Sequence, residues 1–251
     1  MKGGAMEIHK IQIKKIVCLV AISIILTHIY ALHFDAEIEV KAAGKSLPVA
    51  LSLEQQYEAN IFMSNFAELI IRKFNVDKAG VGEMVNFAVL HAIVNRKSMI
   101  LFDGTMERMS LQDVNIILLR FFGKSLSDQQ IVEYQASGGK EYFFEHGYYS
   151  NGYFYWPVGN GESYVGVCIV DRVESYKDGS QRLWYTLYDY DVDEYWKNDW
   201  RVPDAIYRMT PSEAASNQYL SRSGSGFADV VPYSYNGRSS YQLKRMKTNK
   251  K

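Results

Sequence analysis

Cysteine and histidine are scarce in this sequence, with two Cys and five His among 251 residues. Once the N-terminal apolar segment is cleaved off, Cys168 has no disulfide partner, so stability must come from the core. His91 and His146, the histidines beyond residue 33, are too far apart in sequence for a zinc motif. A catalytic thiol dyad of Cys168 with His146 remains an alternative interpretation. The apolar surroundings of Cys168 and His91 predict that both are buried.

Net charge and the common catalytic motifs are also missing. With 28 Lys or Arg and 28 Asp or Glu the formal net charge is zero, which argues against a nucleic-acid-binding protein. The chain has no Walker loop, no HExxH and no GxSxG, and VGNGESY at 158–164 lacks the third glycine of a dinucleotide site. No cofactor is expected. Carboxylate pairs for glycoside hydrolysis stay open, because their separation in space cannot be read from sequence. The candidates are Glu133, Glu141, Glu145, Glu162 and the acids of 189–199.

The zero net charge hides an asymmetry between two stretches. Residues 129–200 hold five Lys or Arg against twelve Asp or Glu, whereas 201–251 hold nine against three. The simplest interpretation is that the two stretches lie together in the fold and neutralise each other. The functional alternative is an acidic face for cations beside a basic tail for an anionic polymer.

The N-terminus resembles an export signal. Lys10, Lys14 and Lys15 precede the apolar run IVCLVAISIIL at 16–26, the pattern of a secretory signal peptide. The alternative is an uncleaved membrane anchor, which would be the protein's one attachment to a membrane. We therefore predict a signal peptide or anchor over 1–36, a linker over 37–50, and a domain that is secreted or displayed at the cell surface.

Helical patterns dominate residues 51–137. Ser52 with Gln55 forms a capping box ahead of a helix, and an apolar stretch near 82–96 predicts a buried second helix. A third helix begins at Ser110 and ends at Gly123. A short fourth helix over 128–135 is an open alternative, so the expected number of helices is three or four.

Strand patterns dominate residues 138–251. Asn151-Gly152, Asp178-Gly179 and Asn236-Gly237 predict turns between strands. The strand over 163–176 is apolar on both faces, TPSE at 210–213 predicts a helix start, and SRSGSG at 221–226 predicts a flexible loop. The fold class expected is α+β: N-terminal helices followed by a mostly antiparallel sheet of about six strands. Residues 51–251 are expected to form one domain, with a helical part over 51–137 and a β part over 138–251.

The stretch WYTLYDYDVDEYWKNDW at 184–200 combines aromatic and acidic residues. At a period of two, Trp184, Thr186, Tyr188, Tyr190 and Val192 share one face, expected to be the apolar inner face. Tyr185, Leu187, Asp189, Asp191 and Asp193 share the other. The three aspartates fit the first positions of a calcium loop, but Glu194 and Trp200 stand where that loop needs Gly and Glu. They are weak metal candidates, and no metal site is expected.

A carbohydrate or peptide platform is a further interpretation of this region. All four tryptophans lie within 156–200, and seventeen of nineteen tyrosines lie from Tyr134 onward. Strand packing also favours such residues, but the alternation ends near Glu194. Large aromatics in a polar loop would be exposed, which suggests a ligand. The predicted ligand-binding residues are Tyr195, Trp196, Asp199 and Trp200.

Two short motifs carry a resemblance to other proteins. FMSNFAEL at 62–69 and RFFGKS at 120–125, followed by a tyrosine-rich strand half, resemble uncharacterised exported proteins of Gram-positive gut-type bacteria. The resemblance implies an extracytoplasmic α+β protein and no particular activity. Because the motif search is empty and aromatic residues outnumber histidines that could act as acid or base, we expect a non-enzymatic surface or secreted binding protein. Its expected ligand class is a carbohydrate, a peptide or a cell-surface polymer. The alternative is a secreted hydrolase that acts on glycan or cell wall through paired carboxylates.

Overall fold

The computed structural model describes residues 46–158, 166–191 and 202–250, nearly all of which belong to the unit Leu47–Lys251. Two antiparallel sheets and seven α-helices make up this part of the chain. The strands are β1 (Leu47–Val49), β2 (Lys73–Asn75), β3 (Leu101–Phe102), β4 (Met106–Ser110), β5 (Tyr148–Ser150), β6 (Tyr153–Pro157), β7 (Gly166–Ser175), β8 (Gln181–Tyr190), β9 (Leu220–Tyr235) and β10 (Arg238–Lys250). The helices are α1 (Leu53–Glu68), α2 (Val81–Asn95), α3 (Leu111–Phe122), α4 (Asp128–Ala136), α5 (Tyr142–His146), α6 (Asp204–Tyr207) and α7 (Pro211–Ser216).

The larger sheet has six strands in the order β1-β7-β8-β9-β10-β2. Asp178-Gly179 turns β7 into β8, and Asn236-Gly237 turns β9 into β10, with Asn236 and both glycines at positive φ. These turns were predicted from the sequence and are confirmed. The smaller sheet has four strands in the order β3-β4-β6-β5, and its β5–β6 hairpin turns at Asn151-Gly152 as predicted.

Several helix boundaries are those that the sequence predicts. Ser52 and Gln55 cap α1 reciprocally, and Thr210 with Glu213 does the same for α7, with Pro211 in the first turn. Gly123 ends α3 in the left-handed conformation at φ 64°. These caps are local interactions between neighbours in sequence, which is why pattern alone locates them.

The main core lies on one face of the larger sheet. Phe62 and Phe66 of α1, Phe87 of α2 and Phe121 of α3 contact one another there. On the sheet side this core takes in Cys168, Val170, Val173, Leu183, Tyr185, Leu187, Ala228, Val230, Leu243 and Met246. A second, smaller core lies on the opposite face, where residues 202–220 cover Val167, Ile169, Tyr188 and Tyr190. The first half of β7, residues 166–170, is therefore buried on both faces, as its sequence predicts.

The predicted fold class is wrong in its architecture. Strands β2, β3 and β4 alternate with the helices, two helices follow β8, and the strands form two sheets where one was expected. The early strands have two to five residues, too few to show a period of two, and their pairing partners are distant in sequence. The smaller sheet joins β4 to β6 in this way, with Met109 opposite Phe154.

Two local predictions are also wrong. SRSGSG at 221–226 belongs to β9, because its backbone is paired with β8 on one side and with β10 on the other. The inner face of β8 is the one that carries Tyr185 and Leu187, which are in the main core. Trp184 faces the opposite way. Both faces of β8 carry large apolar groups, so alternation identified the two sets but not which of them faces the main core.

Candidate functional site

The described residues cover only part of the outer face of the larger sheet, the face opposite the main core. Residues 202–220 cover the end that holds Tyr188 and Tyr190. Toward the other end lies a groove of about 250 Å³. It is lined by Asp171, Arg172, Trp184, Tyr185, Ser225, Gly226, Phe227 and Asn249. Cross-strand neighbours arrange the side chains of this face in three parallel rows, which we name the charged, aromatic and polar rows.

The charged row runs Glu174–Arg182–Asp229–Arg245 across β7 to β10. Arg182 donates from Nε and Nη2 to the two Asp229 oxygens at 2.6 and 3.0 Å, and Arg245 Nε donates to Asp229 Oδ2 at 2.6 Å. Burial opposes the charge on Arg182, but the hydrogen bond and charge of Asp229 outweigh it and raise the pKa of the guanidinium. This row is internally neutralised.

The aromatic row runs Arg172–Trp184–Phe227–Lys247, and Lys73 on β2 lies opposite Lys247. The rings of Trp184 and Phe227 are 5.8 Å apart, and the Arg172 guanidinium lies 4.6 Å from the centre of the Trp184 ring. The indole N–H of Trp184 is buried and has no hydrogen-bond partner among the described residues. A buried donor without an acceptor is costly, and a ligand oxygen would reach this N–H only after the groups that cover it have moved.

The polar row brings Thr186, Ser225 and Asn249 together across β8, β9 and β10. Thr186 donates its hydroxyl to Asp171 Oδ2 at 2.9 Å. Burial raises the pKa of the Asp171 carboxyl, against the opposing effects of Thr186 and of the nearby Arg222 and Arg172. These groups supply both donors and acceptors beside the aromatic row.

Gly226 sets how closely β9 can approach its neighbours in the groove. A Cβ at this position would lie 2.3 Å from the Lys247 carbonyl oxygen and 2.7 Å from the Tyr185 hydroxyl oxygen. Any larger residue would push on the backbone of β10. The glycine that suggested a flexible loop in the sequence is therefore explained by close packing within the sheet.

The predicted ligand-binding residues Tyr195, Trp196, Asp199 and Trp200 lie outside the described residues, as does Asp193. Of the weak metal candidates, Asp189 pairs with Gly166 and Ser221 in the sheet. Asp191 donates its backbone N–H to the Tyr219 carbonyl oxygen at 2.8 Å. Over the described ranges, no three or more His, Cys, Asp or Glu side chains form a group that could hold a metal.

Cys168 and His91 are buried, as the sequence predicts. Cys168 is 2% exposed in the main core, and burial raises the pKa of its thiol well above the ordinary value. His146 is exposed at the end of α5. A buried, protonated thiol is a poor nucleophile, so the proposed dyad has no support. His91 is 2% exposed between Phe87 and Phe121, and burial, with Arg120 and Arg96, lowers its pKa to about 3.

A second aromatic surface lies on the smaller sheet. Tyr148 and Tyr155 are stacked 4.9 Å apart, and Arg108 lies over Tyr153 at 5.2 Å. Tyr148 is 46% exposed. The Tyr148–Tyr155 stack covers one ring face of each tyrosine, much as the Arg172 and Arg182 guanidinium groups lie 4.6 Å from the centre of the Trp184 ring and 4.4 Å from that of Phe227. This second aromatic surface serves below as a comparison surface for the groove.

Sequence patterns missed the groove because its residues come from four strands, β7 to β10, and the register between those strands cannot be read from local sequence. The available signal was the alternation of Arg182 with Trp184 and of Phe227 with Asp229, which repeats a charge and a ring at the same spacing. The chain matches no protein-family model, no curated protein and no solved structure. Within the described ranges no helix is both long and apolar enough to cross a membrane.

Proposed function

We propose that this is an exported binding protein that holds a carbohydrate chain in the groove on the larger sheet. The observation that carries the proposal is the aromatic row, where Trp184 and Phe227 lie side by side with the buried indole N–H unpartnered. Sugar rings present C–H groups that pack on aromatic faces and hydroxyls that need donors and acceptors. Aromatic and polar rows side by side supply both kinds of contact.

Arg172 fits the role of a movable cover on this row. Its side chain is 61% exposed and lies over Trp184, held at one end by an ion pair with Glu174 at 3.2 Å. An exposed ion pair of this kind contributes little to stability. The guanidinium can therefore leave the ring and donate to sugar oxygens while a sugar takes its place over Trp184.

Export is proposed from the sequence of the N-terminus. Lys10, Lys14 and Lys15 ahead of the apolar run at 16–26 support a signal peptide or anchor. A carbohydrate ligand agrees with that location, because polysaccharides of cell walls and of the surroundings lie outside the cytoplasm. Fractionation of producing cells tests this part, since full-length protein in the cytosol would contradict it.

Binding is proposed ahead of hydrolysis because of the carboxyl groups in the groove. Its lining holds one carboxyl group, that of Asp171, whereas hydrolysis by the common mechanism uses two. A purified protein that released reducing sugar from a bound polysaccharide would reverse this order.

The experiment that tests the proposal is a glycan array with the full chain and the variant Trp184→Ala. Removing the indole should lower affinity for the retained glycan about tenfold, a loss equivalent to one good aromatic contact. Tyr233→Ala is the matched control, since Tyr233 is an exposed aromatic on the same β9–β10 hairpin outside the groove lining. A glycan retained equally by all three proteins would contradict the proposed site, and no retained glycan would contradict the function.

A further inference from the structure

We infer that the bound carbohydrate carries acidic groups, and that Lys73, Lys247 and Arg172 bind them. This inference rests on the proposed function, because it names the ligand class of the same groove. The charged row and the aromatic row of the outer face differ in how their cations are paired, and this difference indicates the charge of the ligand.

The cations of the charged row and of the aromatic row differ in their ion pairing. In the charged row, Asp229 accepts hydrogen bonds from both Arg182 and Arg245 at 2.6 Å. The aromatic row, extended to β2, contains three cations and no carboxylate. Two arginines of the charged row thus share Asp229, whereas the row that holds Lys73 and Lys247 contains no carboxylate.

The lysines of the aromatic row lie where they repel each other. Lys73 and Lys247 are direct cross-strand partners, both are exposed, and neither has an ion-pair partner among the described residues. Like charges directly opposite each other destabilise a sheet. An anion bound between them would remove that repulsion.

The spacing of the cations indicates a chain with repeated acidic groups. Arg172 on β7 and Lys247 on β10 are three strands apart, which is about 14 Å at the ordinary strand spacing. Trp184 and Phe227 lie between them in the same row. Sugar rings stacked on the aromatics would place acidic groups over the cations at either end. Carboxylates and phosphates share this chemistry.

The test compares polymers that differ in charge alone. Binding of the full chain to polygalacturonate and to its fully methyl-esterified form is measured by affinity electrophoresis and calorimetry. The backbone is the same in both, and the free acid is expected to bind at least about tenfold more tightly than the ester, because charge-assisted hydrogen bonds are the strong ones. A glycosylated poly(glycerol phosphate) distinguishes phosphate from carboxylate as the source of charge, and tighter binding of it supports the inference with phosphate as that source.

Variants locate the effect on the lysine pair. The double variant Lys73→Gln, Lys247→Gln should lose about tenfold in affinity for the acidic polymer and show a weaker dependence on salt. Lys73→Arg, Lys247→Arg should retain binding. Lys140→Gln removes an exposed lysine from the loop before α5 and is the control for the loss of a lysine charge outside the groove. Thermal unfolding of every variant confirms that the fold is retained.

The contradicting outcomes separate the inference from the proposed function. Equal binding of the acid and its methyl ester, unchanged in the lysine double variant, overturns the inference and leaves a neutral carbohydrate ligand. Binding of polyglutamate with no binding of any saccharide polymer overturns both, and assigns the cations to an acidic peptide. Binding of acidic polymer that only Lys140→Gln weakens overturns the assignment to the aromatic row.

Discussion

Asn60 of α1 closes the open edge of β7 through the backbone of Val170. Its Oδ1 accepts the Val170 N–H at 2.8 Å, and its Nδ2 donates to the carbonyl oxygens of Tyr207 and Met209 at 2.9 and 3.2 Å. One turn further along, Ser64 Oγ accepts the Cys168 N–H at 2.9 Å. Strand β1 pairs with β7 only at 173–175. The helix therefore satisfies backbone groups of β7 where no strand does, and protects that edge.

Asn60→Ala should lower the free energy of unfolding by at least about 2 kcal/mol, because it leaves a buried backbone N–H without an acceptor. Urea titration measures the loss. Gln129→Ala, which removes an exposed helix contact to Glu133, should change stability by less than about 0.5 kcal/mol. Similar values for the two variants would show that the edge of β7 is satisfied in some other way.

Ile70→Gly should stabilise the protein by about 1 kcal/mol. Ile70 follows α1 at φ 57°, where its N–H donates to Ala67 and the N–H of Ile71 donates to Phe66, the arrangement that glycine favours after a helix. A β-branched residue is strained there, and the side chain is 55% exposed, so little burial is lost. Ile116→Gly, in the interior of α3, should instead cost about 1 kcal/mol. A loss of stability in both would contradict the strain at Ile70.

His91 should make the protein less stable as pH falls below 6.5. Its folded-state pKa is lowered to about 3 from the ordinary 6.5. Above pH 6.5 the His91 imidazole is neutral in both the folded and the unfolded state, so it does not affect stability. Below pH 6.5 the unfolded state binds a proton at His91 and the folded state does not. Between pH 6.5 and 5 the loss is about 1–2 kcal/mol. Urea titrations at pH 7 and 5 should show a smaller difference for His91→Phe than for His146→Gln, and equal differences would contradict burial of a neutral imidazole.

The double variant Trp196→Ala, Trp200→Ala tests the ligand-binding loop predicted from the sequence. If the loop binds ligand, stability should barely change while retention on a glycan array falls. If the rings pack as a lid over the sheet, the pair should cost several kcal/mol, since truncating one buried aromatic costs about 3–5 kcal/mol. A sharp loss of stability with no effect on retained glycan would remove this loop from the site.

Local interactions made parts of the fold predictable. The caps at Ser52, Thr210 and Gly123 and the three turns with glycine at positive φ depend on residues within a few positions of each other. The smaller sheet and the groove depend on register between distant strands, such as Trp184 opposite Phe227. The roles of the FMSNFAEL residues at 62–69 can be seen only in the folded structure, because they are contacts with residues distant in sequence. Its Ser64 contacts β7, and its Glu68 accepts hydrogen bonds from Tyr207 and Asn95.

Hydroxyl-radical footprinting with and without a retained polysaccharide tests the central claim most directly. Saturating ligand should protect Trp184 and Phe227 from oxidation, because a sugar chain in the groove covers both rings. Tyr148 and Tyr155 on the smaller sheet should react equally in both samples. Protection of Tyr148 and Tyr155 with unchanged oxidation of Trp184 and Phe227 would contradict the groove as the binding site.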